Sequence, residues 1–202
     1  MDWSILHALN DFLYRHDAVE DPLLFFVNVS EALFIATLAL VFLAATGARN
    51  AAWRRTAVAA TLSAGAALAV AKVISELVDR ARPFVVDSGG VHLFSGHVAD
   101  PGFPSDHATA SFAIAMAIFL RHRRWGAVAL LAAAVLSVGR VALGVHFPSD
   151  VLAGAVLGAT AAVILWAPSL RAKIDAISDW LGGYWDRFLA RGLRLVGSSR
   201  HP

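Results

Sequence analysis

The sequence alternates between long apolar runs and short charged stretches. A helix needs about 20 apolar residues to cross a hydrocarbon core of about 30 Å, and most of these runs approach that length. They predict five membrane spans: Pro22–Thr46, Thr56–Val78, Ala108–Leu120, Gly126–Val145 and Val151–Pro168. The third run is short and reaches spanning length only if it extends back into the preceding loop. The pattern predicts an all-α, polytopic transmembrane helix bundle.

Both ends of the chain carry apolar residues at helical spacing, which predicts amphipathic helices in the membrane interface. The N-terminal stripe consists of Trp3, Ile5, Leu6, Leu9, Phe12 and Leu13. The C-terminal stripe consists of Ile174, Ile177, Trp180, Leu181, Tyr184, Trp185, Phe188 and Leu189. We therefore expect one membrane-embedded domain with an interfacial helix (1–21), a transmembrane core (22–168) and a cytoplasmic amphipathic tail (169–202).

Composition agrees with a membrane protein and excludes some chemistry. Apolar residues make up 58% of the chain and charged residues 16%, whereas soluble domains carry about 25% charged residues. The net charge of +2 is too small to suggest a nucleic-acid partner. The absence of Cys excludes disulfides and thiolate metal sites. No spacing suggests a metal or cofactor, and the sequence does not indicate an oligomeric state.

Basic residues in short loops predict the orientation of the bundle, because such loops favour the cytoplasm. Three clusters fall on one side if the five spans alternate: Arg49, Arg54 and Arg55; Arg121, Arg123 and Arg124; and Arg171 and Lys173. The opposite side receives an acidic N-terminal segment, the loop from Asp79 to Asp106 and the junction around His146.

Three polar segments interrupt the apolar pattern on that opposite side: 79–84, 103–107 and 139–150. Charges near membrane depth are costly and tend to be functional. The guanidiniums of Arg80, Arg82 and Arg140 suit phosphoryl oxygens, which they bind through forked donors. We expect Ser105 to cap a helix with His107 in its first turn, where free amides and the helix dipole favour an anion.

The last segment suggests an activated nucleophile. Pro148 suits the first position of a helix, which places Asp150 in the first turn and His146 just before it. The Asp150 carboxylate could accept a hydrogen bond from His146, fix its tautomer and leave the other nitrogen to attack phosphorus. A second histidine, His107, suits a general acid.

Together the segments resemble the three-part signature of the type 2 phosphatidic acid phosphatase superfamily, K-x6-R-P, P-S-G-H and S-R-x5-H-x3-D. The matches are Arg82-Pro83, Pro104-Ser105-x-His107 and Arg140-x5-His146-x3-Asp150. The resemblance implies that His146 forms a phosphohistidine and that Asp150 orients it. It also implies that His107 protonates the leaving group and then activates water, and that Arg82, Arg140 and Ser105 hold the phosphate without a metal.

Three positions depart from this signature. Ser75 stands where the signature has Lys, so either Lys72, one helical turn earlier, or Arg80 takes its place. Gly139 replaces the signature Ser, and Asp106 replaces the signature Gly. A carboxylate at 106 favours a protonated His107 and repels a diphosphate unless Lys72, Arg80 or an ion compensates.

The stretch Phe103-Pro104-Ser105-Asp106-His107 and the spacing Gly144-x-His146-x-Pro148-x-Asp150 resemble the bacitracin-resistance type of undecaprenyl-diphosphate phosphatase. That resemblance implies an acid anhydride hydrolase that cuts a C55 polyprenyl diphosphate to the monophosphate and so recycles the carrier of cell-wall precursors. It also implies a multi-pass protein of the bacterial inner membrane with an extracytoplasmic site.

Two alternatives stay open at this point. One is a phosphatase of another lipid phosphate, such as phosphatidylglycerol phosphate or phosphatidate. The other is a non-enzymatic lipid transporter, which the intramembrane charges Glu31, Lys72 and Glu76 also allow. The sequence leaves the roles of Glu31 and His97 undecided.

Overall fold

The computed structural model describes residues 1–94, 96 and 98–198. The helices of these residues are α1 (Asp2–Tyr14), α2 (Asp17–Ala44), α3 (Ala51–Val78), α4 (Pro83–Val86), α5 (Asp106–Arg121), α6 (Arg123–Ala142), α7 (Pro148–Leu165) and α8 (Pro168–Ser198), with a 3-10 turn at Ala48–Asn50. The predicted all-α fold is confirmed. His97 lies outside the described residues.

Among the described residues, four helical segments are long and apolar enough to cross a membrane: Asp17–Ala44, Ala48–Val86, Arg123–Ala142 and Pro148–Leu165. They contain α2, α3, α6 and α7. Helix α5, the predicted third span, has 16 residues and a length of about 24 Å. The helix extends back from the predicted start at Ala108 only as far as Asp106. Pro104 lacks an amide hydrogen and disfavours a helical Phe103, which ends the helix there.

Helix α5 lies at the centre of the bundle and packs against α3, α6 and α7. Two glycines one helical turn apart on α7 allow its close approach. A Cβ atom at Gly154 would lie 2.6 Å from the carbonyl oxygen of Ser105, and one at Gly158 would lie 2.1 Å from that of Thr109. Small residues at this spacing let membrane helices pack backbone to backbone. The glycines thus set the position of the first turn of α5.

Helix α1 packs onto the end of the bundle where α6 and α7 meet, since Leu6 and Leu13 are buried there. The Asn10 amide donates hydrogen bonds to the carbonyl oxygens of His92 (2.9 Å) and Ala142 (2.8 Å). It also accepts one from the His92 amide at 2.9 Å. The first helix is therefore tied to the loop before α5 as well as to α6.

Helix α8 packs against the other end of α3. Arg54 donates to both carboxylate oxygens of Asp186 (2.7 and 3.2 Å), and Arg55 donates to both oxygens of Asp179 (2.6 and 2.9 Å). These hydrogen bonds lower the pKa of both carboxyl groups from the ordinary value of Asp. The basic clusters thus gather at the end of the bundle opposite to the polar segments. The division into interfacial helix, core and cytoplasmic tail stays a prediction.

Candidate active site

The first polar segment follows a reversal at the end of α3. Asp79 takes a left-handed conformation, with φ 45° and ψ 45°, and its amide donates to the carbonyl oxygen of Ser75. The chain then turns back, so that Arg82 precedes α4 with Pro83 at the first helical position. Arg82 is 6% exposed. Its Nε donates to the carbonyl oxygen (3.1 Å) and to Oδ1 (3.0 Å) of Asp100.

The second segment begins α5. Ser105 caps this helix, and its side chain accepts a hydrogen bond from the Ala108 amide at 3.5 Å. The Ser105 amide donates to the carbonyl oxygen of Asp150 at 3.1 Å, which joins the starts of α5 and α7. His107 therefore stands in the first turn of α5, next to the third segment, as the sequence predicts.

The third segment makes a tight turn between α6 and α7. Gly144 has φ 76°, a conformation that side chains rarely adopt, and a Cβ atom there would lie 2.6 Å from Val91 Cγ1. The turn brings His146 directly before α7. Asp150 closes the first turn of that helix, because its Oδ2 accepts a hydrogen bond from the Phe147 amide at 2.8 Å.

The surroundings of His146, which is 2% exposed, define its tautomer. Its Nδ1 lies 2.9 Å from the carbonyl oxygen of Gly102. Because a carbonyl oxygen only accepts, Nδ1 carries the hydrogen and Nε2 of the neutral ring holds the lone pair. Nε2 faces two guanidiniums, at 3.0 Å from Arg82 Nη1 and 3.4 Å from Arg140 Nη2.

The sequence assigned the task of fixing this tautomer to Asp150, and the geometry differs. Asp150 Oδ2 lies 3.7 Å from His146 Nδ1, which is too long for a hydrogen bond. Asp150 is fully buried, and its oxygens are engaged by the Phe147 amide and by Arg80. The carbonyl of Gly102 was not foreseen, because no side-chain pattern marks a backbone acceptor in a loop.

Five of the nine predicted site residues line one cavity of about 410 Å³: Arg82, Asp106, His107, Arg140 and His146. Ser105 and Asp150 are fully buried and are not among its lining residues. Asp100 and Glu31 also line the cavity, and sequence reasoning gave neither a role. The cavity thus combines two buried guanidiniums, two imidazoles and three carboxylates.

Lys72 and Arg80, the two candidates for the signature Lys, occupy different places. Lys72 is exposed and forms an ion pair with Glu76, with Nζ and Oε1 3.3 Å apart. It stands one helical turn beyond Leu68, which lines the cavity. Arg80 instead donates to Asp150 Oδ1 at 2.8 Å and to Ser149 Oγ at 2.6 Å. Arg80 is not among the residues that line the cavity. A contact between Arg80 and phosphate therefore stays a prediction.

An apolar groove adjoins the cavity between α2, α3, α5 and α6. Its volume is about 640 Å³, within the range of small-molecule sites. Ser30, Phe34 and Ile114 line both the groove and the cavity. The groove and the cavity are therefore direct neighbours that share part of their walls.

A model of the PAP2 superfamily matches residues 56–173, which is more than half of the chain. This range contains all three polar segments. The chain belongs to the PAP2 superfamily. The predicted resemblance to type 2 phosphatidic acid phosphatases is thereby confirmed.

Individual relatives indicate that the chain is a lipid phosphatase and a multi-pass membrane protein. The chain is 31% identical over 157 residues to "Undecaprenyl-diphosphatase BcrC" of Bacillus subtilis (strain 168), covering 78% of each protein. It is 33% identical over 131 residues to "Putative undecaprenyl-diphosphatase YbjG" of Escherichia coli (strain K12), covering 63% of this chain and 65% of that relative. The crystal structure of Aquifex aeolicus LpxE is similar in fold, with a TM-score of 0.64 at 22% identity over 81% of this chain and 93% of that one.

Proposed function

We propose that the chain hydrolyses a polyprenyl diphosphate, in the simplest case undecaprenyl diphosphate, to the monophosphate and inorganic phosphate through a phosphohistidine on His146. The observation that carries this proposal is the position of His146 Nε2 between Arg82 and Arg140, in a cavity that shares lining residues with an apolar groove. The names of the relatives support the same substrate.

The first step transfers the terminal phosphoryl group. Its oxygens replace Nε2 as acceptors for Arg82 and Arg140, which offset the negative charge of the transition state. The lone pair of His146 Nε2 forms a bond to phosphorus while the bond to the bridging oxygen breaks. His107 donates a proton to that oxygen, and the polyprenyl monophosphate leaves.

The second step regenerates the enzyme. His107, now neutral, takes a proton from water, whose oxygen attacks the phosphohistidine as the P–N bond breaks. Inorganic phosphate leaves, and His146 recovers its lone pair. Asp150 acts indirectly, because it closes the turn that carries His146, and Ser105 holds the start of α5 that carries His107.

The site faces the extracytoplasmic side of a bacterial inner membrane in this proposal. The support is the separation of charge along the bundle, with the Arg54 and Arg121 clusters at one end and the cavity at the other. Basic loops favour the cytoplasm. A diphosphate carrier on the outer leaflet would then reach the cavity with its chain in the apolar groove.

The test is phosphate release and product analysis by the full chain in detergent. The substrates are undecaprenyl diphosphate, phosphatidylglycerol phosphate and phosphatidate. We expect the diphosphate to be the best substrate and His146→Ala to remove turnover, with exposed His16→Ala as an active control. A different order of substrates overturns the polyprenyl assignment, and turnover by His146→Ala overturns the mechanism. Lipid binding without phosphate release by the wild type supports the transporter instead.

A further inference from the structure

Glu31 brings a carboxylate from the interior of α2 to the candidate acid. Its Oε2 lies 3.7 Å from His107 Nε2, within the range of an ion pair. The residue belongs to the apolar segment Asp17–Ala44, where a charge is costly unless it has a function. Glu31 and His107 line the same cavity as His146.

The contact between Glu31 and His107 joins α2 to α5, two helices that otherwise pack little against each other. Helix α5 packs mainly on α3, α6 and α7 and only weakly on α2. The other charged groups around this cavity are Asp100 and Asp106, and the guanidiniums of Arg82 and Arg140. The guanidiniums disfavour a positive charge on His107, and a carboxylate next to the imidazole compensates for them.

We propose that Glu31 is a positioning residue for His107, which directs its ring and stabilises the imidazolium form. The inference rests on the proposed function, in which His107 gives a proton to the leaving oxygen and takes one from water. Glu31 exchanges no proton with the substrate in either step. It acts as the orienting carboxylate acts in a Ser-His-Asp triad. Helix α2 then contributes to catalysis as well as to the membrane bundle.

The expected kinetic effect separates this role from phosphate binding. Glu31→Gln keeps the shape of the side chain and removes the charge. We expect kcat to fall roughly tenfold to a hundredfold, part of what general acid–base catalysis contributes, with KM within about twofold of wild type. Glu31→Asp retains the carboxylate and should recover part of kcat. Glu20→Gln makes the same change on the same helix away from the cavity and should leave kcat unchanged.

A double-mutant cycle gives the decisive comparison, because residues that act as a unit are not additive. If Glu31 acts through His107, Glu31→Gln has no further effect in a His107→Ala chain. Multiplied losses in the double variant, or wild-type kcat in Glu31→Gln, overturn the inference. Should Glu31→Gln fail to fold, the cycle is made with Glu31→Ala, and a wild-type kcat in that variant overturns the inference.

The same experiment separates this inference from the proposed function. If Glu31→Gln has wild-type kcat and His107→Ala has a strongly reduced kcat, only the proposed role of Glu31 is refuted. If His107→Ala turns over at the wild-type rate, the acid–base role of His107 is refuted, and so is the inference that depends on it. The amount of phosphohistidine gives a further readout. The leaving monophosphate is weakly basic and needs little help from an acid, so the attack of water in the second step depends on His107 more than the first step does. We expect the phosphoenzyme to accumulate in Glu31→Gln, and a lower level than in wild type counts against the inference.

Discussion

Arg80 holds Asp150 by a hydrogen bond and does not itself line the cavity. Its Nη1 donates to Asp150 Oδ1 at 2.8 Å, and its guanidinium lies 4.2 Å from the centre of the Phe147 ring. Asp150 in turn closes the turn that carries His146. Arg80 therefore acts on His146 only indirectly, through Asp150 and the turn that Asp150 closes. We expect the loss of Arg80 to affect the chemical step more than substrate binding.

The first prediction concerns Arg80→Gln. We expect kcat to fall roughly tenfold to a hundredfold, less than the ~10⁴ lost when the orienting carboxylate of a Ser-His-Asp triad is itself replaced. KM should stay within about twofold, whereas Arg82→Gln should raise KM because Arg82 faces the cavity. Steady-state kinetics on a diphosphate lipid measures both. Arg15→Gln, at an exposed position, is the control, and a rise in KM alone for Arg80→Gln would mean that Arg80 binds phosphate.

The second prediction concerns Asp2, which links α1 to this network. Burial opposes ionisation of Asp2, but hydrogen bonds from Ser149 and Arg80 outweigh it and lower the pKa of the carboxyl group. The distances to Asp2 Oδ2 are 2.5 Å from Ser149 Oγ and 3.1 Å from Arg80 Nη2. A lowered folded-state pKa stabilises the protein above the ordinary Asp pKa of about 3.9, and this contribution is lost as pH falls through the folded value.

Thermal unfolding in detergent measures this effect. At pH 7, Asp2→Asn should be less stable than wild type by about 0.2–1 kcal/mol, the usual size for a partly exposed ion pair. The difference should shrink as pH falls below about 4, because the wild-type carboxyl group becomes protonated. A difference that is unchanged or larger at low pH would contradict this role of the Asp2 charge.

The third prediction concerns the contact between α5 and α7. Gly158→Ala places a methyl group against the carbonyl oxygen of Thr109, and such overpacking costs about 1–3 kcal/mol. We expect lower thermal stability and lower kcat, since α5 carries Ser105 and His107. Gly65→Ala is a matched control, because a Cβ atom there meets nothing within 4 Å. Equal stability of the two variants would contradict the close packing.

The fourth prediction concerns orientation, and the absence of Cys makes it direct to measure. Single cysteines are introduced at Gly89, in the loop before α5, and at Arg124, at the start of α6. A membrane-impermeant maleimide should label Gly89→Cys in intact bacterial cells with an accessible inner membrane. Arg124→Cys should react only after permeabilisation. The reverse pattern would place the site in the cytoplasm.

The features that the sequence predicted depend on residues close together in the chain. Helical periodicity and Pro148 predicted the bundle and the start of α7, because both depend on neighbouring residues. The fixed spacing of Arg140, His146 and Asp150 likewise predicted their proximity. The third apolar run predicted a helix within α5, but its full length could not be predicted because α5 is short and is held by packing against other helices.

Contacts across the fold could not be predicted in this way. The carbonyl of Gly102 lies 44 residues from His146 in the chain, and no side chain identifies it. Glu31 meets His107 only because α2 lies beside the cavity. The left-handed turn at Asp79 redirects the chain so that Arg80 contacts Asp150. The sequence could not predict this contact, because it shows only that Arg80 lies two residues before Arg82.

The most direct test of the central proposal is to trap the phosphoenzyme. The chain is mixed with a polyprenyl diphosphate labelled in its terminal phosphate, quenched within one turnover in alkali, and digested to locate the label. We expect an alkali-stable, acid-labile phosphoryl group on the peptide that contains His146 in wild type and in His16→Ala, and none in His146→Ala. Turnover without a labelled protein, or a label that persists in His146→Ala, would contradict the assignment of His146 as the nucleophile.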